Sequence, residues 1–156
     1  MDKELFIPNT ELKIFADKGE FSFGVDSILL INFAKIKSKA TVLDIGAGTG
    51  ILSLGIFEKF SPKLIYAVEI QERMAKLMEK SINANGIKNI KVVNKNLNDC
   101  FDDFNSGFFD YIITNPPYIK RGGVIVNEKE GIINSIRQQP LKKYITNWET
   151  FISRKA

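Results

Sequence analysis

The chain contains no histidine and only one cysteine, Cys100. Intramolecular disulfides, metal sites built from cysteine and histidine, and mechanisms that need a histidine base are therefore excluded. The sequence also lacks a run of about 18 apolar residues, and Met1–Glu4 does not resemble a signal peptide, which predicts a cytoplasmic protein. With 156 residues, 44% of them hydrophobic, the chain can bury the core of one domain without cross-links.

Acidic residues are scarce in the last part of the chain. Residues 120–156 carry eight basic and three acidic side chains, a net charge of +5, whereas residues 1–119 carry 14 basic and 15 acidic side chains. A basic excess confined to one segment favours contact with a polyanion such as RNA. A solvated surface in a lysine-rich protein explains the same charge equally well.

The first 39 residues predict a hairpin followed by a helix. Leu12–Phe15 and Glu20–Phe23 alternate in the manner of strands and flank the turn-forming cluster Asp17–Gly19. Asp26 or Ser27 is in a position to cap a helix that continues to Phe33.

From residue 40 onward, short apolar segments alternate with helical segments. Strands are predicted at 41–45, 64–69, 89–94 and 109–114, with helices at 51–60 and 71–85 and, after a glycine-rich loop, at 146–154. This alternation is typical of an α/β fold with a parallel, doubly wound sheet covered on both faces. We expect one domain, made of the N-terminal hairpin and helix (1–39), a ligand-binding core (40–119) and a basic segment (120–156).

The first predicted strand leads into the glycine-rich turn Asp44-Ile45-Gly46-Ala47-Gly48-Thr49-Gly50. Glycines at the start of a helix allow a ligand to approach the backbone closely. A dinucleotide site needs glycine or alanine three residues after Gly48, where this chain has Ile51. The carboxylate of Asp44 instead favours a ligand with cationic groups.

Two further polar positions follow predicted strands. Glu69 ends the second strand, where a carboxylate in a doubly wound sheet can accept both hydroxyls of a ribose. Asn115-Pro116-Pro117-Tyr118 follows the fourth strand and offers carbonyl and amide acceptors next to an aromatic ring. Such a set suits a planar group that carries an NH₂. A solvent-exposed strand end is the alternative for Glu69, which the preceding glycine-rich turn disfavours. A plain turn is the alternative for the two prolines, which their position after a strand of the sheet disfavours.

Together these motifs resemble the class I S-adenosylmethionine-dependent methyltransferases, and Asn115–Tyr118 matches the NPPY motif of those that methylate amino groups. The resemblance implies a Rossmann-like fold and S-adenosyl-L-methionine as cofactor. It places the target amine against Asn115 and the Pro116 carbonyl, with Tyr118 stacked on the base and Pro117 fixing the backbone. The cofactor-binding residues that it implies are Asp44, Gly46, Ala47, Gly48, Gly50, Glu69, Ile70, Asn96 and Leu97.

Residues 21–30, Phe-Ser-Phe-Gly-Val-Asp-Ser-Ile-Leu-Leu, resemble the segment before the glycine motif in the bacterial tRNA1(Val) adenine-37 N6-methyltransferase family. Residues 136–139 also resemble that family, although Gln139 stands where relatives have an acid. The resemblance implies transfer of a methyl group to adenine N6 in RNA, with catalysis mainly by positioning and electrostatics.

The chain departs from the family in two respects. Asn96 replaces an aspartate that many relatives place near the cofactor's adenine, and Asp99 is the nearest substitute. The family sheet has seven strands, but after residue 114 too few residues follow for strands five to seven. We therefore expect a sheet truncated after its fourth core strand, with an exposed edge open to self-association. Truncation of a longer chain, a naturally short form and completion by another chain each explain this length.

Alternative functions remain at this stage. A protein glutamine N5-methyltransferase shares the NPPY motif, but its family carries a large helical N-terminal domain. A guanine N2-methyltransferase more often ends the motif in phenylalanine. The remaining interpretation is a non-catalytic fragment that binds cofactor or RNA. The complete glycine-rich and NPPY motifs argue against it.

Overall fold

The computed structural model describes residues 2–17, 24–100, 104, 107–115 and 144–146. The strands are β1 (Asp2–Phe6), β2 (Lys13–Asp17), β3 (Thr41–Ile45), β4 (Leu64–Val68), β5 (Ile90–Val93), β6 (Tyr111–Thr114) and β7 (Tyr144–Thr146). The α-helices are α1 (Val25–Phe33), α2 (Ile51–Phe60) and α3 (Glu72–Ala84), and Leu97–Asp99 form a short 3-10 helix. The helices and strands predicted between residues 41 and 114 are confirmed, with boundaries within two residues.

The central sheet contains five parallel strands in the order β5-β4-β3-β6-β7. The chain builds outward from β3 to β5, with α2 and α3 as the crossovers, and then returns to place β6 on the other side of β3. Where the strand order reverses in this way, the loops after the two neighbouring strands diverge and leave a crevice at their carboxyl ends. The predicted parallel α/β sheet is confirmed, and its crevice lies after β3 and β6.

Alternate residues of β3 face opposite sides of this sheet. Val42 belongs to a large apolar cluster with residues of α2 and α3, including Leu54 and Met78. Leu43 belongs to a second cluster with Ile112 on the opposite face. Both faces of the central strands are therefore buried, which explains why their sequences are almost continuously apolar.

The N-terminal hairpin contains a strand that was not predicted. β2 pairs antiparallel with β1, and Asp17, which we expected in the turn, lies opposite Asp2 at the open end of the hairpin. The turn instead lies between Ile7 and Leu12, where the Leu12 carbonyl accepts a hydrogen bond from the Ile7 N–H. β1 escaped prediction because three of its five residues are charged. The predicted strand Glu20–Phe23 lies outside the described residues.

Contacts with α3 stabilise the hairpin, which explains how so polar a strand as β1 persists. The Phe15 N–H donates to the buried Ser81 hydroxyl at 2.9 Å, and Asn85 exchanges two hydrogen bonds with the backbone of Lys13. Arg73 forms ion pairs with both Asp2 and Asp17. Ser81 and Asn85 occupy the backbone edge of β2 that faces away from β1, and Arg73 adds side-chain contacts, so the hairpin is anchored to α3.

Helix α1 is confirmed, but its predicted cap is wrong. The helix begins at Val25 after Gly24, and no side chain accepts a hydrogen bond from its first N–H groups. Ser27 lies inside the first turn and is buried, and its hydroxyl contacts Asn115 instead. A tertiary contact of this kind leaves no local pattern in the sequence.

The sheet continues past the strand at which we expected it to stop. β7 pairs in parallel with β6, so the predicted free edge at 109–114 is covered, and Thr146 is in a strand rather than in the predicted helix. Without β7, the outer N–H and C=O groups of β6 would be unpaired, which is the physical reason for the added strand. The rest of the predicted helix, residues 147–154, lies outside the described residues.

Candidate functional site

The glycine-rich turn connects β3 to α2 at the crevice. Gly46, Gly48 and Gly50 all have positive φ angles, of 67°, 56° and 91°. The N–H groups of Gly46 and Ala47 both donate to the carbonyl of Val68 at the end of β4, at 2.9 and 3.0 Å. The turn is thus held against the neighbouring strand in a backbone conformation that glycine adopts without strain.

Two of these glycines border open space and one does not. A Cβ atom added at Gly46 or Gly48 would meet no atom within 4 Å, whereas one at Gly50 would lie 2.7 Å from Cγ of Met78. Gly50 is therefore needed for close packing of α2 against α3. Gly46 and Gly48 leave room beside the backbone, as a ligand-binding turn requires.

This difference predicts separate outcomes for two substitutions. Gly50→Ala combines backbone strain with a steric clash and should lower the free energy of unfolding by roughly 2–4 kcal/mol. Gly48→Ala has strain but no clash and should cost about 1 kcal/mol. Denaturant unfolding of both variants measures the difference. Equal losses of stability would contradict the packing role of Gly50.

Asp44 is fully buried at the carboxyl end of β3. Its Oδ2 atom accepts a hydrogen bond from the hydroxyl of Ser53 at 2.7 Å, and its Oδ1 atom has no partner. Burial is the main cause that raises the pKa of Asp44 to about 7, and the nearby charge of Glu69 raises it further, while the Ser53 hydrogen bonds oppose the shift. The unpaired oxygen is an acceptor that a cationic donor could satisfy.

Glu69 holds two loops together at the end of β4. Its Oε2 atom accepts from the N–H of Gly48 and its Oε1 atom from the N–H of Gln71, both at 2.8 Å. Because only 5% of Glu69 is exposed, the interpretation as a solvated strand end is wrong. The carboxylate retains further lone pairs beyond those used by the two N–H groups.

Asn94 and Ser53 are residues of the site that sequence reasoning missed. The Asn94 side chain donates to the backbone carbonyl of Glu69 at 2.8 Å and so fixes the end of β5 against the end of β4. Ser53 is fully buried and holds Asp44. Its position in the first turn of α2, nine residues after Asp44, is the only sequence signal, and it is a weak one.

The remaining predicted cofactor residues lie on the loops after β4 and β5. Ile70 follows Glu69, and 62% of it is exposed. Such high exposure is unusual for a large apolar side chain. The Asn96 side chain is exposed, and its backbone carbonyl accepts from the N–H of Asp99. Leu97 is half-buried against the second apolar cluster. The hydrogen bond from the Gly48 N–H to Glu69 holds the end of β4 against the glycine-rich turn. The contacts of Ile70, Asn96 and Leu97 with a ligand stay predictions.

Asn115 lies directly after β6, level with the glycine-rich turn because Thr114 pairs with Ile45. Its Nδ2 atom donates to the Ser27 hydroxyl at 3.0 Å, and its Oδ1 atom is buried without a partner. Thr114 donates to the Ile45 carbonyl and ties the two strand ends together. Pro116, Pro117 and Tyr118 lie outside the described residues, as does the basic segment apart from residues 144–146.

The described part of the crevice is thus rich in acceptors. Asp44, Glu69 and Asn115 present carboxylate and amide oxygens at the ends of β3, β4 and β6. The Oδ1 atoms of Asp44 and Asn115 are buried and unpaired. A ligand that carries cationic, hydroxyl or NH₂ donors would satisfy these oxygens. Among the described residues, no group of three or more histidine, cysteine, aspartate or glutamate side chains could hold a metal ion, and no helix could cross a membrane.

Comparison with known proteins identifies relatives. The tRNA1(Val) (adenine(37)-N6)-methyltransferase of Haemophilus influenzae is 31% identical over 140 residues, covering 88% of this chain and 58% of that protein. The protein of the same name from Tolumonas auensis is 32% identical over 114 residues, covering 72% of this chain and 46% of that protein. The chain therefore spans about half the length of these curated relatives.

Solved structures support the fold. The Thermus thermophilus 16S rRNA N2 G1207 methyltransferase, in complex with AdoMet and guanosine, superimposes with a TM-score of 0.72 at 23% identity. The match covers 90% of this chain and 39% of the other. The predicted Rossmann-like architecture is confirmed. The methyltransferase small domain model matches residues 11–142, and the chain belongs to that family.

Proposed function

We propose that this chain is the catalytic domain of a methyltransferase that uses S-adenosyl-L-methionine and modifies an exocyclic amine in tRNA, adenine N6. The observation that carries the proposal is the pair of buried, unpaired oxygens at adjacent strand ends, Asp44 Oδ1 and Asn115 Oδ1. The resemblance to the family implies that the first of these oxygens faces the cofactor and the second the target amine. Membership in the methyltransferase small domain family supports both the activity and the cofactor.

The residues present fit this cofactor. Glu69 has lone pairs free for ribose hydroxyls, the space beside Gly46 and Gly48 admits the methionine part, and the exposed Ile70 offers an apolar surface to adenine. Asp44 suits a cationic group. When bound, S-adenosyl-L-methionine supplies an electrophilic methyl group on a sulfonium centre.

Asn115 would contribute by orientation. Its Nδ2 atom is engaged by Ser27, so the amide is held in place and Oδ1 remains as an acceptor for one N–H of the target amine. Accepting that hydrogen bond would fix the amine nitrogen with its lone pair toward the reacting carbon. Orientation of this kind, together with fixed acceptors, can supply a large part of the rate enhancement without a catalytic base.

The choice of adenine N6 in tRNA follows from the names of the bacterial relatives at 31–32% identity. Guanine N2 is the second candidate, because the solved structure that superimposes with a TM-score of 0.72 is named for that activity and holds guanosine. RNA as the partner is part of the proposal, as is a cytoplasmic location. We no longer propose self-association through a free edge at β6, because β7 pairs with that edge.

The first test measures cofactor binding by calorimetry. The wild-type chain should bind S-adenosyl-L-methionine, and Glu69→Gln should weaken binding about 10- to 100-fold, because a neutral amide forms weaker hydrogen bonds than a carboxylate. Glu79→Gln, a change of the same chemistry on the exposed side of α3, serves as the control and should bind normally. Equal affinity in the wild type and Glu69→Gln would remove Glu69 from the site.

The second test identifies the product. Unmodified tRNA is incubated with the chain and methyl-labelled cofactor, then digested to nucleosides. N6-methyladenosine supports the proposal, N2-methylguanosine selects the second candidate, and cofactor binding without methyl transfer to any RNA would contradict the enzymatic function.

A further inference from the structure

Exposed lysines cluster at the edge of the sheet opposite the crevice. Three loops lead into β3, β4 and β5, and they comprise residues 34–40, 61–63 and 85–89. None of these loops contains an aspartate or a glutamate. The loops contain five lysines, all with exposed side chains: Lys35, Lys37, Lys39, Lys63 and Lys88. We call the surface that they form the strand-entry surface.

Hydrogen bonds hold the three loops side by side. The Lys39 N–H donates to the Ser61 carbonyl at 3.2 Å, and the Lys63 N–H donates to the Ala40 carbonyl at 2.9 Å. The Asn89 side chain donates to the Pro62 carbonyl at 2.8 Å and joins the third loop to the second. The five lysines therefore belong to one continuous surface rather than to separate parts of the domain.

The lysines of this surface differ from other lysines of the chain in their surroundings. On the hairpin and α3, Lys13, Lys76 and Lys80 each form an ion pair with a carboxylate. In the described part of the chain, none of the strand-entry lysines has a carboxylate within 4.0 Å of its ammonium group. Ile36 and Ile87 of the same loops are buried. Asp110, which precedes β6 at the same edge, is half-buried and accepts a hydrogen bond from the Thr41 N–H, so the five lysines outnumber this carboxylate.

We propose that the strand-entry surface binds phosphate groups of RNA. Clustered ammonium groups without acidic partners repel one another, and a polyanion relieves this repulsion and releases its own counterions. The inference rests on the proposed function, which supplies RNA as the substrate class. It adds a contact region at the edge of the sheet opposite the crevice.

The position of the surface sets a requirement on the RNA. The strands have four or five residues, at about 3.3 Å per residue, so roughly 15 Å separate the strand-entry surface from the crevice. One nucleotide cannot span both. The surface therefore selects a folded RNA whose backbone reaches it while the target base occupies the crevice.

The test compares two triple variants of the 156-residue chain. Lys37→Gln/Lys39→Gln/Lys63→Gln removes three charges from the strand-entry surface. Lys3→Gln/Lys76→Gln/Lys91→Gln removes three charges from exposed lysines elsewhere and is the matched control. Binding of an unmodified tRNA transcript is measured by filter binding across a range of salt concentrations, and S-adenosyl-L-methionine binding by calorimetry confirms that each variant retains its fold and crevice.

The strand-entry variant should lose about tenfold or more in tRNA affinity at low salt, and the slope of log affinity against log salt should fall by roughly 2–3, with the control little changed. Unchanged tRNA binding, or equal losses in both variants, would overturn the proposal, as would a wild-type chain that does not bind tRNA. Binding of the wild type to phosphatidylserine vesicles in preference to tRNA would assign the surface to a membrane and overturn it too. Cofactor binding and methyl transfer are measured separately. A negative result for the strand-entry surface therefore does not contradict the proposed methyltransferase function.

Discussion

Replacing Asn115 with alanine should abolish most methyl transfer while leaving cofactor affinity unchanged. The side chain provides a buried Oδ1 acceptor at the end of β6, and alanine cannot replace it. Removal of one preorganised polar group from a reaction centre lowers the turnover rate on the order of 10²- to 10³-fold. The rate of label transfer from S-adenosyl-L-methionine to tRNA, at saturating cofactor, measures the effect.

Two further variants separate chemistry from folding. Asn83→Ala makes the same change at an exposed position on α3 and should retain full activity. Ser27→Ala removes the hydrogen-bond partner of Asn115 but keeps the acceptor, and it should lower turnover by about tenfold because the amide is held less firmly. If Asn115→Ala transferred methyl groups at the wild-type rate, the target amine would have to be held by other residues.

The sequence was most informative where local patterns determine structure. The strands β3, β4 and β6 are buried on both faces, so their apolar runs could be recognised directly. Helix α2 was predicted to the residue because Gly50 precedes it and Ser61-Pro62 follow it. The glycine-rich turn, Glu69 and Asn115 could be assigned to one edge because the carboxyl ends of parallel strands meet there.

The errors arose where partners distant in sequence decide the structure. β1 has a polar sequence and forms because β2 pairs with it and because Arg73 and Lys80 on α3 pair with Asp2. No short window contains this information. The sequence therefore predicted a turn at residues 17–19, whereas in the structure Asp17 is the last residue of strand β2.

The expected end of the sheet was wrong for a related reason. Strands were counted by apolar runs, and Tyr144-Ile145-Thr146 is too short to be recognised in this way. Its register against residues 112–114 of β6 supplies the missing partner. Likewise Ser53 and Ser27, which hold Asp44 and Asn115, were missed because the sequence around a buried serine does not reliably distinguish it from an exposed one.

Asp44 should make the stability of the chain depend on pH across the range from about 4 to 7. The pKa of Asp44 is about 7 in the folded chain, against an ordinary value of 3.8 for an aspartate, so the folded state holds an additional proton between these pH values. The stabilisation is complete below about pH 4 and is lost as the pH rises through 7. The free energy of unfolding should fall by on the order of 4 kcal/mol over this interval.

Denaturant unfolding at a series of pH values tests this expectation. Asp44→Asn keeps an acceptor for the Ser53 hydroxyl but cannot ionise, so it should lack this slope and should be more stable than the wild type at pH 8. Asp99→Asn, the same change at an exposed position, should leave the slope in place. A wild-type slope that persists in Asp44→Asn would have to come from another buried group.

The same carboxyl group should have the opposite effect on cofactor binding. A cationic ligand favours the ionised form, so below pH 7 binding must also remove a proton, and affinity should rise about tenfold per pH unit up to that point. Calorimetry in buffers of different ionisation enthalpy measures the released proton directly. Asp44→Asn should bind weakly, without this pH dependence. Stability and binding would then respond to one ionisation in opposite directions, because the Oδ1 atom that lacks a partner in the folded chain is the atom that a cationic ligand satisfies.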